Sequence, residues 1–181
     1  NGEFLPLSNR EYPLKQFIKD YARLMKINVT YPVDMLREKD KLHIEFNTKT
    51  SPDELKKVFY EMLANLGYTT IEEKKVLWLH DSMDIRYLAS EVYSDQSYPR
   101  DARYSTVLYK LKYPLSTEIC RNLRPILTRF GRIIDLSDAR TIILNDQGDN
   151  IERLIKTIQI MDVEGAYQAM LTYKAKPDEN A

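Results

Sequence analysis

The side chains in this sequence with the greatest chemical reactivity are two histidines and one cysteine. His43 and His80 each fall in a segment predicted to be a β-strand, so they would form a metal pair only if those strands were adjacent. Cys120 lies on the flank of a predicted helix with no histidine close in sequence, which favours a buried, inert thiol over a nucleophile. We therefore predict no metal, no cofactor and no catalytic residue, and we expect the protein not to be an enzyme.

The carboxylates and glycines offer no further chemistry. Asp146, Asp149 and Glu152 gather around a predicted helix start, where negative charge is stabilised by the positive end of the helix dipole. That structural role is a better interpretation of the cluster than acid–base catalysis. With five glycines in the chain, no glycine-rich loop of the phosphate-binding kind is present.

The charge balance argues against a polyanionic partner. Lysine and arginine together number 27, as do aspartate and glutamate, and the same count is balanced within residues 1–82 and within 83–181. Binding of nucleic acid or of an anionic membrane surface requires clustered positive charge. Neither is therefore expected as the main partner. The composition, 43% hydrophobic and 30% charged, is ordinary for a globular chain.

The predicted helices and strands that carry the histidines, the cysteine and the acidic cluster fall into two modules. The first module is predicted at 4–80. Alternating or β-branched segments predict strands at "FLPLS", "INVTYP" and "KLHIEFN", followed by a hairpin of "YTTIEE" and "KVLWLH". One helix is predicted to open at Pro13. A second is capped by Ser51, with Glu54 three residues later as in a capping box, and is ended by Gly67 in a left-handed conformation.

The second module is predicted at 104–163, after a linker at 81–103 that shows no sustained periodicity. Its segments follow the order strand, helix, strand, strand, helix. The first of these helices is predicted to run up to Gly131 and to be bent by Pro125. The fold class is α+β, with two helices on a three-stranded sheet in the second module, and 164–181 is predicted to be a polar tail.

Two other classes of function remain to be weighed against the sequence. The order of strands and helices in the second module is also found in KH modules. A Gly-x-x-Gly loop of those modules clamps a nucleic-acid backbone. Gly131 stands alone and leads into a strand, so a KH-type nucleic-acid module is a disfavoured alternative. An enzyme or a small-ligand sensor would instead require a buried pocket with strongly shifted titratable groups.

The second module resembles the ring-building periplasmic domain that is repeated in bacterial secretins, a KH-like βαββα fold. The resemblance rests on "VLYKLKY", on "LRPIL", on the Gly-Arg-apolar turn "GRI", on "IILND", and on a final helix from Asn150 to Asp162. The opening of the chain, with "PLKQFIKDYARLMKINV" and "SPDELKKVFYEMLANLGYT", resembles the domain that precedes it in secretins, a mixed αβ fold shared with signalling domains of TonB-dependent receptors. The sequence departs from the usual pattern at Lys26-Ile27, where a glycine is usual after the first helix, and at Arg140, a position that is often asparagine.

The resemblance implies the periplasmic part of an outer-membrane channel for protein export, whose copies stack as rings. The first domain would dock an inner-membrane platform protein or the exported protein substrate. Type II secretion is favoured, with pilus and type III secretins as alternatives. In relatives the inner-membrane partner touches the first strand and the start of the first helix, which by position implies partner contacts at Leu5, Leu7, Leu14 and Lys19.

Charge clusters in the second module suggest how copies would contact one another. Four arginines crowd one predicted helix and its exit, and three acids crowd the start of the other. A head-to-tail contact that pairs the clusters would generate a closed ring, whereas the alternative is two solvated faces. Exposed ion pairs contribute only ~0–1 kcal/mol each, so the chain alone is expected to be monomeric at low concentration. The predicted interface residues are Arg121, Arg124, Arg129, Arg132, Asp146, Asp149 and Glu152.

Overall fold

The computed structural model describes residues 8–46, 48–88 and 91–174. Within them the chain forms two compact units. The first comprises the chain up to residue 88 together with Asp101–Arg103, and the second comprises 91–100 together with the chain from residue 104 onward. Among the described helices, none has both the length and the apolar content that crossing a bilayer demands.

The first unit follows the predicted order of strand, helix, strand, strand, helix, strand, strand. β1 and β3 form an antiparallel pair, and the other three strands form a sheet in the order β2-β5-β4, in which β2 is parallel to β5. The strand predicted at "FLPLS" lies almost wholly outside the described residues, and β1 begins where that prediction ended. The elements are β1 (Ser8–Pro13), α1 (Leu14–Met25), β2 (Asn28–Thr30), β3 (Lys41–Glu45), α2 (Pro52–Asn65), β4 (Tyr68–Glu73) and β5 (Val76–Asp81).

The boundaries of α2 follow from its capping residues. The Ser51 hydroxyl accepts a hydrogen bond from the Glu54 amide at 3.3 Å, and the Glu54 carboxylate accepts one from the Ser51 amide at 2.8 Å. This reciprocal pair is the predicted capping box. Gly67, just beyond the helix, has the predicted left-handed backbone with φ +88°. The buried face of α2 centres on Phe59, which is fully buried and stacks on Tyr21 with ring centroids 3.7 Å apart.

The segment predicted to be a linker contains regular structure and contributes to both units. A 3₁₀ turn at Ser82–Arg86 follows β5, and β6 (Val92–Ser94) pairs in parallel with the first strand of the second unit. Asp101–Arg103 then returns to the first unit, where Ala102 is 7% exposed within the core. The linker predicted at 81–103 thus includes a short strand, and strands of three residues such as β6 are too short to show a periodicity.

The second unit is an α+β layer with one more strand than predicted. Its sheet has the order β6-β7-β9-β8, so β6 extends the expected three-stranded sheet to four strands. The predicted polar tail contains α5, which packs Tyr167 and Met170 against the core. The remaining elements are β7 (Tyr104–Lys110), α3 (Ser116–Leu123), β8 (Arg132–Leu136), β9 (Thr141–Gln147), α4 (Gly148–Met161) and α5 (Glu164–Lys174).

The helix that was predicted to extend to Gly131 ends earlier. α3 stops at Leu123, and Pro125 sits in a single 3₁₀ turn at Arg124–Ile126. A proline lacks the amide donor that would continue the α-helical hydrogen bonds and clashes with the preceding turn, so the helix terminates instead of bending. Gly131 therefore does not cap the helix, and its role lies in the turn described below.

Candidate interaction surfaces

The first candidate surface is a groove along α1 in the first unit. Its volume is about 550 Å³. Tyr12 of β1, Phe17 and Leu24 of α1, and Leu55 of α2 supply apolar lining. Leu24 is 47% exposed, which is unusual for a leucine so close to a buried core. The groove thus offers a concave apolar surface with charged residues in its walls, the combination found in many protein-binding grooves.

A charged hydrogen-bond network lies in one wall of the groove. The Tyr12 hydroxyl donates to the Asp20 carboxylate, and the Gln16 side-chain amide donates to the same carboxylate at 2.9 Å. The Tyr12 hydrogen bond, followed by that of Gln16, lowers the pKa of Asp20, while burial and Asp20 raise the pKa of Tyr12 to about 12. At neutral pH the groove therefore contains a fixed negative charge at Asp20 and a neutral phenol at Tyr12.

The strand beside this groove has an edge available for pairing. β1 hydrogen-bonds to β3, and among the described residues no strand pairs with its other edge. An unpaired strand edge next to an apolar groove suits the addition of a partner's strand, in which main-chain hydrogen bonds provide affinity and pockets provide specificity.

The structure corrects part of the predicted partner contacts. Leu14 is 1% exposed, because it is the first residue of α1 and its side chain faces the core. It cannot contact a partner directly. Lys19 is exposed on α1 and stays a predicted contact. Leu5 and Leu7 lie outside the described residues.

The second candidate surface is the arginine cluster of the second unit, formed by α3 and the turn that follows. Arg121, Arg124, Arg129 and Arg132 are all exposed. None of them forms an ion pair with another residue in the described part of the chain, and Arg129 lies over the ring of Phe130 at 5.3 Å. Their positive charge is therefore not neutralised locally.

The acidic half of the predicted ring interface needs correction at Asp146. This residue is fully buried, and its carboxylate accepts hydrogen bonds from the Thr128 amide at 3.0 Å, from the Thr128 hydroxyl and from the Asn150 side chain at 2.7 Å. A Cβ atom at Gly131 would approach Asp146 Oδ2 to 2.4 Å. Asp146 therefore holds the helix-to-strand turn inside its own unit, and glycine is required at 131 because the carboxylate occupies that space.

The other two acids differ from Asp146 in their availability. Glu152 forms ion pairs with Lys156 at 3.1 Å and with Arg100 at 3.8 Å, and Lys156 lowers the pKa of Glu152. Asp149 is exposed and accepts a hydrogen bond from the Asn150 amide at 2.7 Å. The acidic cluster is thus smaller and more neutralised than the arginine cluster that it was predicted to face.

The open face of the second sheet carries an apolar stripe that the sequence reasoning missed. Leu108, Ile143 and Ile134 are cross-strand neighbours on β7, β9 and β8. Leu108 is 41% and Ile134 is 47% exposed. The helices cover the opposite face, where Val107 and Leu144 are fully buried. The signal in the sequence was that β8 and β9 carry apolar residues in both phases of the alternation, which predicts a strand with two apolar faces.

The residues first considered for chemistry are not brought together. His43 lies on β3 and His80 on β5, which belong to different sheets. In the described ranges no group of three or more metal-ligating side chains is found. Cys120 is 3% exposed, and burial raises the pKa of its thiol to about 11. At neutral pH this thiol is protonated and is a poor nucleophile.

Comparison with known proteins gives a match at the level of structure. No family model matches the chain, and no curated protein matches its sequence. The outer-membrane complex of the Klebsiella pneumoniae type II secretion system, which contains PulD, PulS and the PulC HR domain, matches with a TM-score of 0.71. The fold is that of secretin N-terminal domains. This match has 15% identity and covers 86% of this chain and 26% of the other, so the chain spans about a quarter of that secretin's length.

Two further solved structures match with lower TM-scores. The N-terminal domain of the Pseudomonas aeruginosa secretin XcpQ, as an S210C dimer mutant, is 13% identical over 90% of this chain and 67% of that one, with a TM-score of 0.40. The GspC–GspD complex of the enterotoxigenic Escherichia coli type II secretion system is 17% identical over 89% of this chain and 99% of that one, with a TM-score of 0.36.

The two positions at which the sequence departs from the resemblance share one backbone feature. Lys26 and Arg140 have left-handed backbones, with φ +54° and +48°. Glycine and asparagine adopt this region at little cost, whereas other residues are strained there by roughly 1 kcal/mol. Lys26 and Arg140 therefore adopt, with strain, a backbone conformation that glycine and asparagine favour.

Proposed function

We propose that this chain is the periplasmic part of a type II secretin, an outer-membrane channel for protein export, in which it docks partner proteins and catalyses no reaction. The observation that carries the proposal is the match to the Klebsiella complex, with a TM-score of 0.71 over 86% of the chain. That complex contains PulD together with the HR domain of PulC. Pilus and type III secretins are the alternatives for the class of channel, and a KH-type nucleic-acid module remains the less favoured one.

The surface along β1 and α1 is assigned to the inner-membrane platform protein. It combines a strand edge of β1 that no other strand of the described residues pairs with and a groove of about 550 Å³, in which Leu24 is exposed and Asp20 is charged. A partner strand would align along β1 and place apolar side chains in the groove. Lys19 would lie at the margin of the contact. The exported protein is expected to meet the same periplasmic assembly.

A test of this assignment uses the HR-type periplasmic domain of the cognate inner-membrane protein. Binding to the whole chain is measured by isothermal titration calorimetry. Leu24→Arg should weaken binding at least about tenfold, because a charged side chain would enter an apolar contact. Leu171→Arg is the matched control, since Leu171 is 41% exposed on α5 of the second unit and is not one of the groove-lining residues. Absence of binding by the wild-type chain, or equal weakening by both variants, would contradict the assignment.

Contacts between neighbouring copies are assigned to the second unit. The uncompensated arginines on α3 and its exit, together with the apolar stripe of Leu108, Ile143 and Ile134, supply charge and buried area for a contact between copies. In a heterologous contact, one surface of a copy binds a different surface of the next copy. Such contacts close a ring when a whole number of copies completes a 360° rotation. Because each exposed ion pair is weak, ring formation is expected in the full-length protein and not in this chain alone.

The arginine cluster is tested by charge reversal in the full-length protein. The double variant Arg121→Glu/Arg124→Glu should abolish ring assembly, measured as heat-stable or cross-linked multimers in membranes. Lys112→Glu serves as a control, because Lys112 is an exposed cation of the second unit that lies outside the cluster and forms no ion pair with another described residue. Normal multimers in the double variant, with unchanged expression, would exclude the arginine cluster from the ring contact.

A further inference from the structure

A small cavity in the first unit combines an apolar lining of Met25, Ile27 and Leu77 with several hydrogen-bond donors. It lies between α1, α2 and the β4–β5 hairpin and has a volume of about 60 Å³. Its polar lining consists of Tyr21 from α1, Lys56 and Tyr60 from α2, Glu72 from β4 and Lys75 from the hairpin turn. The chemistry of these groups, considered one at a time, indicates what the cavity would bind.

The two tyrosines have hydroxyl groups without a protein partner. Tyr21 and Tyr60 are each 3% exposed, yet neither hydroxyl hydrogen-bonds to another of the described residues. Neither hydroxyl belongs to the fully buried polar atoms that lack a partner, so both reach solvent and can donate to a bound ligand. Burial raises the pKa of Tyr60 to about 12 and is also the main cause of the raised pKa of Tyr21, to which neighbouring Tyr60 adds. Both hydroxyls are therefore protonated donors at neutral pH.

The two lysines are also without a partner, whereas the one acid is engaged. Neither Lys56 nor Lys75 forms an ion pair with any residue in the described ranges. Glu72 lies 3.7 Å from Arg103 Nη1, and Arg103 is itself held by Asp101 at 2.8 Å. Ammonium and phenol donors thus outnumber the acceptors around the cavity.

We propose that this cavity binds a small oxyanion of carboxylate or phosphate size. A volume of about 60 Å³ corresponds to roughly two waters at ~30 Å³ each, which admits a carboxylate or a phosphate group and excludes larger anions. The lysine ammoniums would supply charge-assisted hydrogen bonds and the tyrosines neutral ones. The ligand is either a free anion or the carboxylate of a partner protein's side chain, since both present the same chemistry.

The test is a titration of the whole chain followed by NMR signals of the Tyr21 and Tyr60 rings. Sodium phosphate and sodium acetate are the probes, and sodium chloride at equal ionic strength is the reference. Saturable shifts with phosphate or acetate, absent with chloride, are expected. Saturation by phosphate alone identifies a free-phosphate site, and saturation by acetate identifies a carboxylate site that a partner's side chain can also occupy.

Variants identify the cavity as the location of binding. Lys56→Met and Lys75→Met should each weaken affinity about tenfold, and Tyr60→Phe should weaken it while keeping the ring in place. Lys57→Met and Lys74→Met are matched controls, because each is the chain neighbour of a lining lysine and does not line the cavity. Shifts that do not saturate, equal shifts with chloride, or equal losses in the control variants would overturn the proposal and leave a cavity that holds only water.

Discussion

The two units stabilise their turns in different ways. In the second unit, a buried carboxylate surrounded by neutral donors holds the turn before β8, and Gly131 provides the space for it. In the first unit, the buried carboxylate of Asp40 accepts hydrogen bonds from the Tyr68 hydroxyl at 2.6 Å and from Arg37 Nε at 3.1 Å. Both turns are held by hydrogen bonds to a buried carboxylate. The turn in the second unit also depends on steric fit at Gly131, whereas the one in the first unit includes a charged donor, Arg37.

A side chain has a different cost at a left-handed turn than at Gly131 of the second unit. The β4–β5 hairpin has a two-residue turn, Lys74–Lys75, with φ +47° and +67°. Positive φ at both positions is the type I′ geometry, which favours asparagine and glycine. Both units tolerate such strain, the second at Arg140 with φ +48°, whereas Gly131 of the second unit lies where a side chain would collide. The comparison indicates that a glycine is replaceable where the cost is backbone strain and irreplaceable where the cost is a clash in the core.

The largest expected effect is that of Gly131→Ala. The added methyl would collide with the Asp146 carboxylate, which is buried and held by several hydrogen bonds, so it cannot move aside. We expect the second unit to lose about 3 kcal/mol of unfolding free energy, measured by amide hydrogen exchange of β9. Gly165→Ala is the control, because no atom lies within 4 Å of a Cβ at that position. Similar exchange in Gly131→Ala and wild type would show that the turn adapts.

An intermediate effect is expected from acidification of the first unit. Burial alone would raise the pKa of Asp40, but the hydrogen bonds from Tyr68 and Arg37 outweigh it and lower the pKa. The ionised carboxylate therefore stabilises the fold above the unfolded-state pKa of about 4, and this contribution is lost as the pH falls through the folded-state value. Unfolding by urea at pH 6 and pH 3, followed by the fluorescence of Trp78 in β5, should show a loss on the order of 1 kcal/mol from this residue.

The control for this pH dependence is Asp40→Asn, which removes the titrating group at the same position. The variant should be less stable than wild type at pH 6 and should lose less stability on acidification. If wild type and variant show the same slope between the two pH values, another group is responsible for the acid sensitivity of the first unit.

The smallest expected effect is stabilisation by Lys75→Gly. Glycine relieves the strain of a positive φ, although it adds freedom to the unfolded chain, so a net gain of about 0.5–1 kcal/mol is expected. Trp78 fluorescence in urea measures it. Lys57→Gly, in the exposed interior of α2, should instead cost about 1 kcal/mol. A loss of stability in Lys75→Gly would mean that the lysine side chain contributes more than its backbone strain.

Much of the first unit could be predicted from the sequence because its signals are local. The helix predicted to open at Pro13 begins one residue later, and the capping box at Ser51 and the alternation of β3, each carried by a few consecutive residues, are confirmed. The misses have local causes as well. β6 is three residues long, and apolar residues after Pro125 continue the helical spacing although the helix has ended.

The interaction surfaces were harder to predict because burial decides them. Asp146 was grouped with nearby acids, yet it shares its strand phase with Ile142 and Leu144, both fully buried. That alternation predicts an inward carboxylate. The unpartnered hydroxyls of Tyr21 and Tyr60 had no such signal, since they meet across two helices that are distant in sequence.

The return of Asp101–Arg103 to the first unit determines how this protein can be divided. The Arg103 guanidinium lies 4.7 Å from the centre of the Tyr60 ring, and the methyl group of Ala102 fills part of the same core. A truncation ending at residue 88 would expose that aromatic face to water and leave a void beneath it. Supplying residues 101–103 as a separate peptide should restore what the truncation removed, so this domain is complete only when assembled from two stretches of chain.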